Sequence, residues 1–327
     1  MEQRIFGRTG QRASVVGLGT WQLGADWGGV EEKDAPAVLD AAVEEGVTFF
    51  DTADVYGDGR SEQLIGSYLR DRPDADILVA TKMGRRVALD PSLYTLDNFR
   101  AWTDRSRANL GVDRLDLVQL HCPPTPVYSS EAVFDALDTL VEEGRIAAYG
   151  VSVETCDEAL TAIARPGTAS VQIIFNAFRL KPLERVLPAA AEAGVGIIAR
   201  VPLASGLLSG KYTKDTVFAA DDHRTYNRHG ESFDQGETFS GVDFATGVEA
   251  ALEFAALAPD GATPAQAALR WIVQQPGVTT VIPGARSPEQ ARANADAAAL
   301  PPLPEATLLA VRDLYDRRIR AQVHDRW

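Results

Sequence analysis

Eight short apolar runs recur along this chain, each followed by a polar turn and, in most gaps, by an Ala-rich amphipathic stretch. They are approximately Val15 to Thr20, Val47 to Asp51, Ile77 to Lys82, Leu115 to His121, Ala147 to Ser152, Ser170 to Phe175, Val195 to Val201 and Thr279 to Pro283. Alternation of strand, turn and helix is what a parallel sheet with crossover helices requires, because parallel neighbours cannot be joined by a tight hairpin. Eight such units predict an α/β fold closed into a (β/α)8 barrel rather than an open sheet. Helices are expected from Asp34 to Glu45 and from Glu131 to Glu143. Gly46 and Gly144 then stand where a left-handed residue ends a helix.

Two segments depart from this rhythm. Arg4 to Phe6 and Arg12 to Ser14 flank Gly7-Arg8-Thr9-Gly10, which reads as a small β-hairpin able to plug the bottom of the barrel. The stretch from about Lys211 to Gly241, after the seventh strand, lacks clear periodicity and is expected to be a long loop, a feature usually functional or disordered. Helices resume near Val242 and at Thr263-Pro264, an N-cap followed by proline. Residues 1–327 are read as one barrel domain, a length that suits the fold.

A formal net charge of -14 argues against general affinity for nucleic acid or anionic lipid. The absence of a basic, apolar leader and of a membrane-length apolar run predicts a soluble, cytoplasmic protein. Cys122 and Cys156 form no CxxC pair, so a disulfide framework or zinc site is not expected, and no metal is assigned.

Three of the strands end on ionisable side chains, Asp51, Lys82 and His121, and Tyr56 lies five positions past Asp51. In a barrel all four emerge at the rim where active sites lie. A phenol is a poor proton donor near neutrality unless a cation stabilises its phenolate; Lys82 could supply that cation, with Asp51 holding the ammonium charged. His121 could bond the same substrate oxygen. The set suits protonation of an oxygen that turns negative, as a carbonyl oxygen does when hydride attacks its carbon. Singly, each residue also has a structural reading: an ion pair, a turn aromatic, a core histidine.

Two nucleotide motifs fail. Gly17-Leu18-Gly19 begins like a dinucleotide fingerprint, but its third glycine falls at Gly24; Gly206 to Lys211 is one residue short of a Walker loop. Phosphate could instead be held at Val281 to Gln290, where a strand end, Arg286 and a helix N-terminus coincide. Ser287 and Gln290, with Pro288 between them, are also a capping-box pattern.

The chain resembles the aldo-keto reductases through Gly17-Leu18-Gly19-Thr20-Trp21, Asp51 to Gly57, Ala80-Thr81-Lys82, Leu120-His121, Gly150-Val151-Ser152, Gln172, Pro202 to Lys211 and Ile282-Pro283-Gly284. The resemblance implies a TIM barrel binding NADPH/NADP+ in extended form without a Rossmann domain, with Asp51, Tyr56, Lys82 and His121 as catalytic tetrad and Tyr56 as the acid. It implies that Ser152 and Gln172 hold the nicotinamide carboxamide, Leu203 and Ser205 the pyrophosphate with Lys211 nearby, and Arg286, Gln290 and Asn294 the 2′-phosphate end. Thr20, Trp21, Asp51, Arg200, Pro202 and Gly284 complete the implied cofactor set, and Trp21, Tyr56 and His121 would meet the substrate. Two departures stand out. Val153 follows Ser152 where many members have Asn, and Arg200-Val201 precede Pro202 where many have a stacking aromatic.

The expected activity is reversible hydride transfer to a small aldehyde or ketone. Two alternatives are a Schiff-base aldolase using Lys82 and a nicotinamide-sensing subunit resembling potassium-channel β subunits. Trp21, Trp27, the Tyr128 region and the stretch from His223 to Phe239 are expected to shape the pocket. Their residue types do not name a substrate, and oligomeric state is left open.

Overall fold

The computed structural model describes residues 1–24 and 30–327, so Trp27 lies outside the described residues. Strands β1 (Gln3–Ile5) and β2 (Arg12–Ser14) pair antiparallel as the expected hairpin. The remaining strands are β3 (Leu18–Gly19), β4 (Phe49–Asp51), β5 (Leu78–Met83), β6 (Leu115–His121), β7 (Ile146–Ser152), β8 (Thr168–Ile174), β9 (Gly196–Arg200) and β10 (Thr280–Val281). They form one parallel sheet in sequential order from β3 to β10. Parallel bridges Val16↔Val281 and Gly19↔Gly284 close it, so the barrel is complete. The seam strands are shorter than their apolar runs because they meet only through these bridges and single bonds such as Gly17 N–H to Val281 O, 2.8 Å.

The helices α1 (Ala35–Glu44), α2 (Arg60–Arg70), α3 (Leu96–Leu110), α4 (Glu131–Glu142), α5 (Cys156–Ile163) and α6 (Val186–Ala193) each follow a strand. Beyond β9 come the single turn α7 (His223–Tyr226), then α8 (Phe244–Ala255) and α9 (Pro264–Val273); α10 (Pro288–Asp296) and α11 (Glu305–Leu314) follow β10. Gly46 and Gly144 do take positive φ, 85° and 69°. Thr263 and Gln266 form a full capping box on α9. At α10 the box is only half made: Ser287 caps the Gln290 N–H, but the Gln290 side chain accepts from the Arg286 N–H at 2.8 Å.

Two cores result. One fills the space between sheet and helices; the other lies inside the barrel, where Phe6 of the hairpin stacks on Phe49 with ring centroids 5.2 Å apart. Gly7 permits that plug, since at φ +53° a Cβ there would stand 2.0 Å from the Ala169 carbonyl oxygen. The 211–241 stretch contains α7 and short 3-10 turns, and is organised by buried Asn227. That side chain accepts from the Ser232 and Phe233 N–H groups at 2.8 and 2.9 Å and donates to Thr238 Oγ1 at 3.1 Å. Trp327 seals its far edge, with Nε1 donating to Asp234 Oδ1 at 2.8 Å and its ring 3.9 Å from the Arg179 guanidinium.

Candidate active site

β4, β5 and β6 end side by side, and their register brings Asp51, Lys82 and His121 to one mouth. Tyr56 opens the turn after β4. Gly57, at φ 59°, lets that turn press against Gly24, whose carbonyl oxygen would lie 2.2 Å from any Cβ. Lys82 Nζ donates to Asp51 Oδ1 at 2.5 Å, to the Thr52 carbonyl at 2.9 Å and to Tyr56 OH at 3.3 Å. The His121 ring stands edge-on to Tyr56, centroids 6.0 Å apart. The three strand-end residues and Tyr56 are therefore brought together.

Their electrostatics differ in one respect from expectation. Burial opposes the charge on Lys82, but Asp51 and Tyr56 outweigh it and the ammonium is held more firmly than in water. For Tyr56 burial is the larger effect and raises the phenol above its ordinary 10.0, with Lys82 pulling the other way. The expected net lowering is not found, because the same enclosure that keeps Lys82 close also excludes the water a phenolate needs. His121 is driven well below 6.5 by burial and by Arg85, Lys82 and Arg200, so its imidazole is neutral.

Around this group, Gln172 and Gln119 donate to Asp51 Oδ2 at 2.7 and 3.3 Å. Residues His121, Ser152 and Gln172 are register partners across β6, β7 and β8, which lines up an imidazole, a hydroxyl and a carboxamide in one row. Thr20 is buried with its hydroxyl on the Asp51 carbonyl, 2.9 Å, and on Ser61; it holds the strand end of Asp51 in place. Tyr128 is buried behind β7, its hydroxyl on the Ser152 carbonyl at 2.8 Å, and so backs the site rather than lining it. Trp21 stacks on Tyr56 and meets His223 and Phe233 of the long loop.

At the expected phosphate end, Val201, Ala204 and Ser205 all take positive φ, 52°, 47° and 54°, a strained turn around Pro202 and Leu203. The Ser205 hydroxyl donates to the Glu237 carbonyl at 3.1 Å and accepts from the Phe239 N–H at 3.0 Å. Asn294 donates to the Gly284 carbonyl at 3.1 Å, while Lys211 and Arg286 are exposed.

Sequence reasoning missed an ionic cluster at the same mouth. Arg200 donates to the Val153 carbonyl at 3.1 Å and to Glu154 at 2.8 Å, and lies 3.7 Å from Glu237; Arg85 pairs with Glu237 at 2.6 Å and with Glu154 at 3.5 Å. Arg85 and Arg200 pull the Glu237 carboxyl down against its burial; burial raises that of Glu154. Cys122, solitary in sequence, comes within 4.8 Å of ligand atoms of Glu154 and Glu237, but both carboxylates are already paired with arginine. A second missed group is Asp54, a buried carboxyl that burial and neighbouring Glu62 raise to about 7. Arg85 and Gln119 lie three residues after Lys82 and two before His121, a spacing that could have flagged them; nothing in the aperiodic loop singles out Glu237.

Among the described residues, no helix is long and apolar enough to cross a membrane. Residues 15–316 match the sequence model of the aldo/keto reductase family. Among relatives, the aldo-keto reductase YhdN of Bacillus subtilis is 32% identical over 302 residues, covering 90% of this chain and 87% of that protein. A probable voltage-gated potassium channel subunit beta of Oryza sativa subsp. japonica is 30% identical over 93% of both chains. The solved glycerol dehydrogenase AKR11B4 of Gluconobacter oxydans superposes with a TM-score of 0.78 at 30% identity, over 97% of this chain and 95% of that one. With barrel, site row and sequence in agreement, the chain belongs to the aldo/keto reductase family.

Proposed function

We propose that this protein is an NADPH-dependent reductase of aldehyde or ketone carbonyls, running reversibly as an alcohol dehydrogenase, with Tyr56 as general acid. The observation that carries the reading is the chain of contacts from Asp51 through Lys82 to the Tyr56 hydroxyl, beside a neutral His121. NADPH, when bound, supplies the hydride that adds to the carbonyl carbon and leaves as NADP+.

The donor set fits that cofactor. Ser152 and Gln172 present neighbouring hydroxyl and carboxamide groups beside His121, suited to a carboxamide, and the strained 201–205 turn with exposed Lys211 and Arg286 suits phosphates. Tyr56 then gives its proton to the carbonyl oxygen as negative charge gathers there, and His121 orients that oxygen through a ring nitrogen. Lys82 stabilises the phenolate left behind, and Asp51 keeps Lys82 charged and in place. A charged, salt-linked Lys82 is the wrong form for Schiff-base attack, which counts against the aldolase reading.

The test is NADPH absorbance against a carbonyl panel. Tyr56→Phe is expected to retain NADPH binding while lowering carbonyl reduction by about 10²- to 10⁴-fold; a full-rate Phe variant contradicts the assignment. The rice relative, a probable potassium channel subunit beta, favours a second reading, in which the chain serves as a regulatory subunit. Tight NADPH retention with negligible turnover on every carbonyl, together with a stable protein complex, would support that reading instead.

A further inference from the structure

We infer that Gln119 is a positioning residue of the cofactor seat: it locks the Gln172 amide so that only its oxygen is offered to the nicotinamide ring, which selects a ring substituent bearing an N–H donor. The inference rests on the NADPH reading above, and Gln119 is not among the residues the resemblance implies.

Gln119 and Gln172 are buried, at 0% and 1% exposure. Gln119 on β6 is in register with Lys82 on β5 and with Gly150 on β7. Gly150 brings no side chain, and the two glutamines meet across β7. Asp51 Oδ2 settles which way both amides turn. A carboxylate only accepts, and its other oxygen holds the Lys82 ammonium, so each amide must aim its nitrogen at Oδ2: Gln172 Nε2 at 2.7 Å and Gln119 Nε2 at 3.3 Å. An amide nitrogen carries two hydrogens. The second one of Gln172 goes to Gln119 Oε1, 3.3 Å away, so the Gln172 amide has no donor left. Asp51 alone would let that amide swing about their contact and turn an N–H outward; Gln119 blocks the swing.

Among the described residues no donor is set against Gln172 Oε1, which is left to accept from a ligand. Ser152, in register with Gln172, supplies the complement. Burial pushes the Cys122 thiol up to about 12, so it keeps its proton and donates to Ser152 Oγ at 3.3 Å; the Ser152 O–H is left to donate outward. One donor and one acceptor side by side match the C=O and NH2 of a primary carboxamide. Val153, buried and apolar, adds neither. A ring with a ketone in place of the amide sets a methyl group against Gln172 Oε1 and leaves that acceptor unfilled.

The experiment measures Kd by titration calorimetry for NADP+ and for its acetylpyridine analogue, in which a methyl replaces the amide nitrogen. The wild type is expected to bind NADP+ about tenfold or more tighter than the analogue. Gln119→Met, which keeps the length of the side chain but removes the acceptor, should narrow that ratio to about threefold or less, because the released Gln172 amide can turn an N–H to the ketone. Gln119→Glu, protonated beside Asp51, still accepts from Gln172 and is expected to keep the wild-type ratio. Equal binding of both nucleotides by the wild type overturns the inference, whether or not the variants fold. If Gln119 merely packs the barrel, Gln119→Met weakens both nucleotides together and the ratio stays, which overturns it as well. Loss of the ratio in Gln119→Glu refutes the acceptor role. Failure of the wild type to bind either nucleotide refutes the NADPH reading itself.

Discussion

Replacing Lys82 by methionine keeps a straight apolar stem and removes only the charged head. The Lys82 and Asp51 side chains are 1% and 3% exposed, and Nζ is 2.5 Å from Oδ1. Without that ammonium, Asp51 keeps the Gln172 and Gln119 donors on Oδ2 but holds a buried charge with no counter-ion. Breaking a buried pair from one side costs about 3–5 kcal/mol. Roughly 2.1 cal/mol/K of unfolding entropy per residue gives a chain of this length about 0.7 kcal/mol/K, so Tm should fall by about 4–7 °C. Removing both charges in Asp51→Asn/Lys82→Met takes away the orphan, and much of the loss should return. The measurement is thermal and urea unfolding of the wild type, both single variants and the double variant at one pH. A Lys82→Met shift below about 1 °C, or single effects that add to within about 0.5 kcal/mol, would refute the reasoning, because a real pair must couple.

Three further outcomes follow from other parts of the molecule. Asp54 ionises at about 7 in the fold against an ordinary 3.8, so the folded chain keeps a proton through that window that the unfolded chain loses. Its stability penalty therefore grows as pH rises from about 3.8 to about 7 and is complete above. Asp54→Asn should gain more stability near pH 8.5 than near pH 5.5, by roughly 2 kcal/mol; equal gains at both pH values would contradict the burial argument. Arg286→Ala should weaken NADPH about 10- to 100-fold, the worth of a charge-assisted bond to phosphate, while NADH is little affected; an unchanged NADPH-to-NADH ratio of kcat/KM would remove Arg286 from that role. Trp327→Ala deletes the ring on Arg179 and the bond to Asp234, costing about 3–5 kcal/mol. Limited proteolysis should then cut first within 211–241, and a cleavage pattern like the wild type would show that the loop holds itself.

The strand-end residues were legible because two regularities reinforce each other: the βα alternation fixes the barrel, and in a barrel the last residue of every strand shares one rim. Gly17, Gly19 and Gly57 were visible in sequence, but what they permit, close backbone approach, appears only when the partner carbonyl is in view. The turn at 201–205 was hidden for the opposite reason. A β-branched residue at Val201 argues against positive φ, and only the surrounding packing holds it there. The ionic cluster draws one residue each from four distant segments; Arg85 stands close to Lys82 and Arg200 beside Pro202, but charged residues near strand ends usually mean only a solvated rim, and nothing in the sequence joins them to Glu154 and Glu237. Arg200, which the resemblance turned toward the cofactor, has its head on Glu154 and the Val153 carbonyl, so both departures from the family pattern meet at one point.

A general acid works best with a pKa near the operating pH, so at Tyr56 burial opposes proton transfer and the Lys82 charge favours it. Burial raises the pKa in the resting site, whereas Lys82, 3.3 Å away, favours the phenolate in the same protonation equilibrium. The barrier to transfer is then governed by how far Lys82 and the developing alkoxide offset the desolvation. His121 does not compete as a proton donor. Burial, reinforced by Arg85, Lys82 and Arg200, holds it neutral, so it can direct the carbonyl oxygen without carrying a second acidic proton. Burial thus keeps the phenol protonated and the imidazole neutral at one mouth, with the charge of Lys82 opposing the first effect and reinforcing the second.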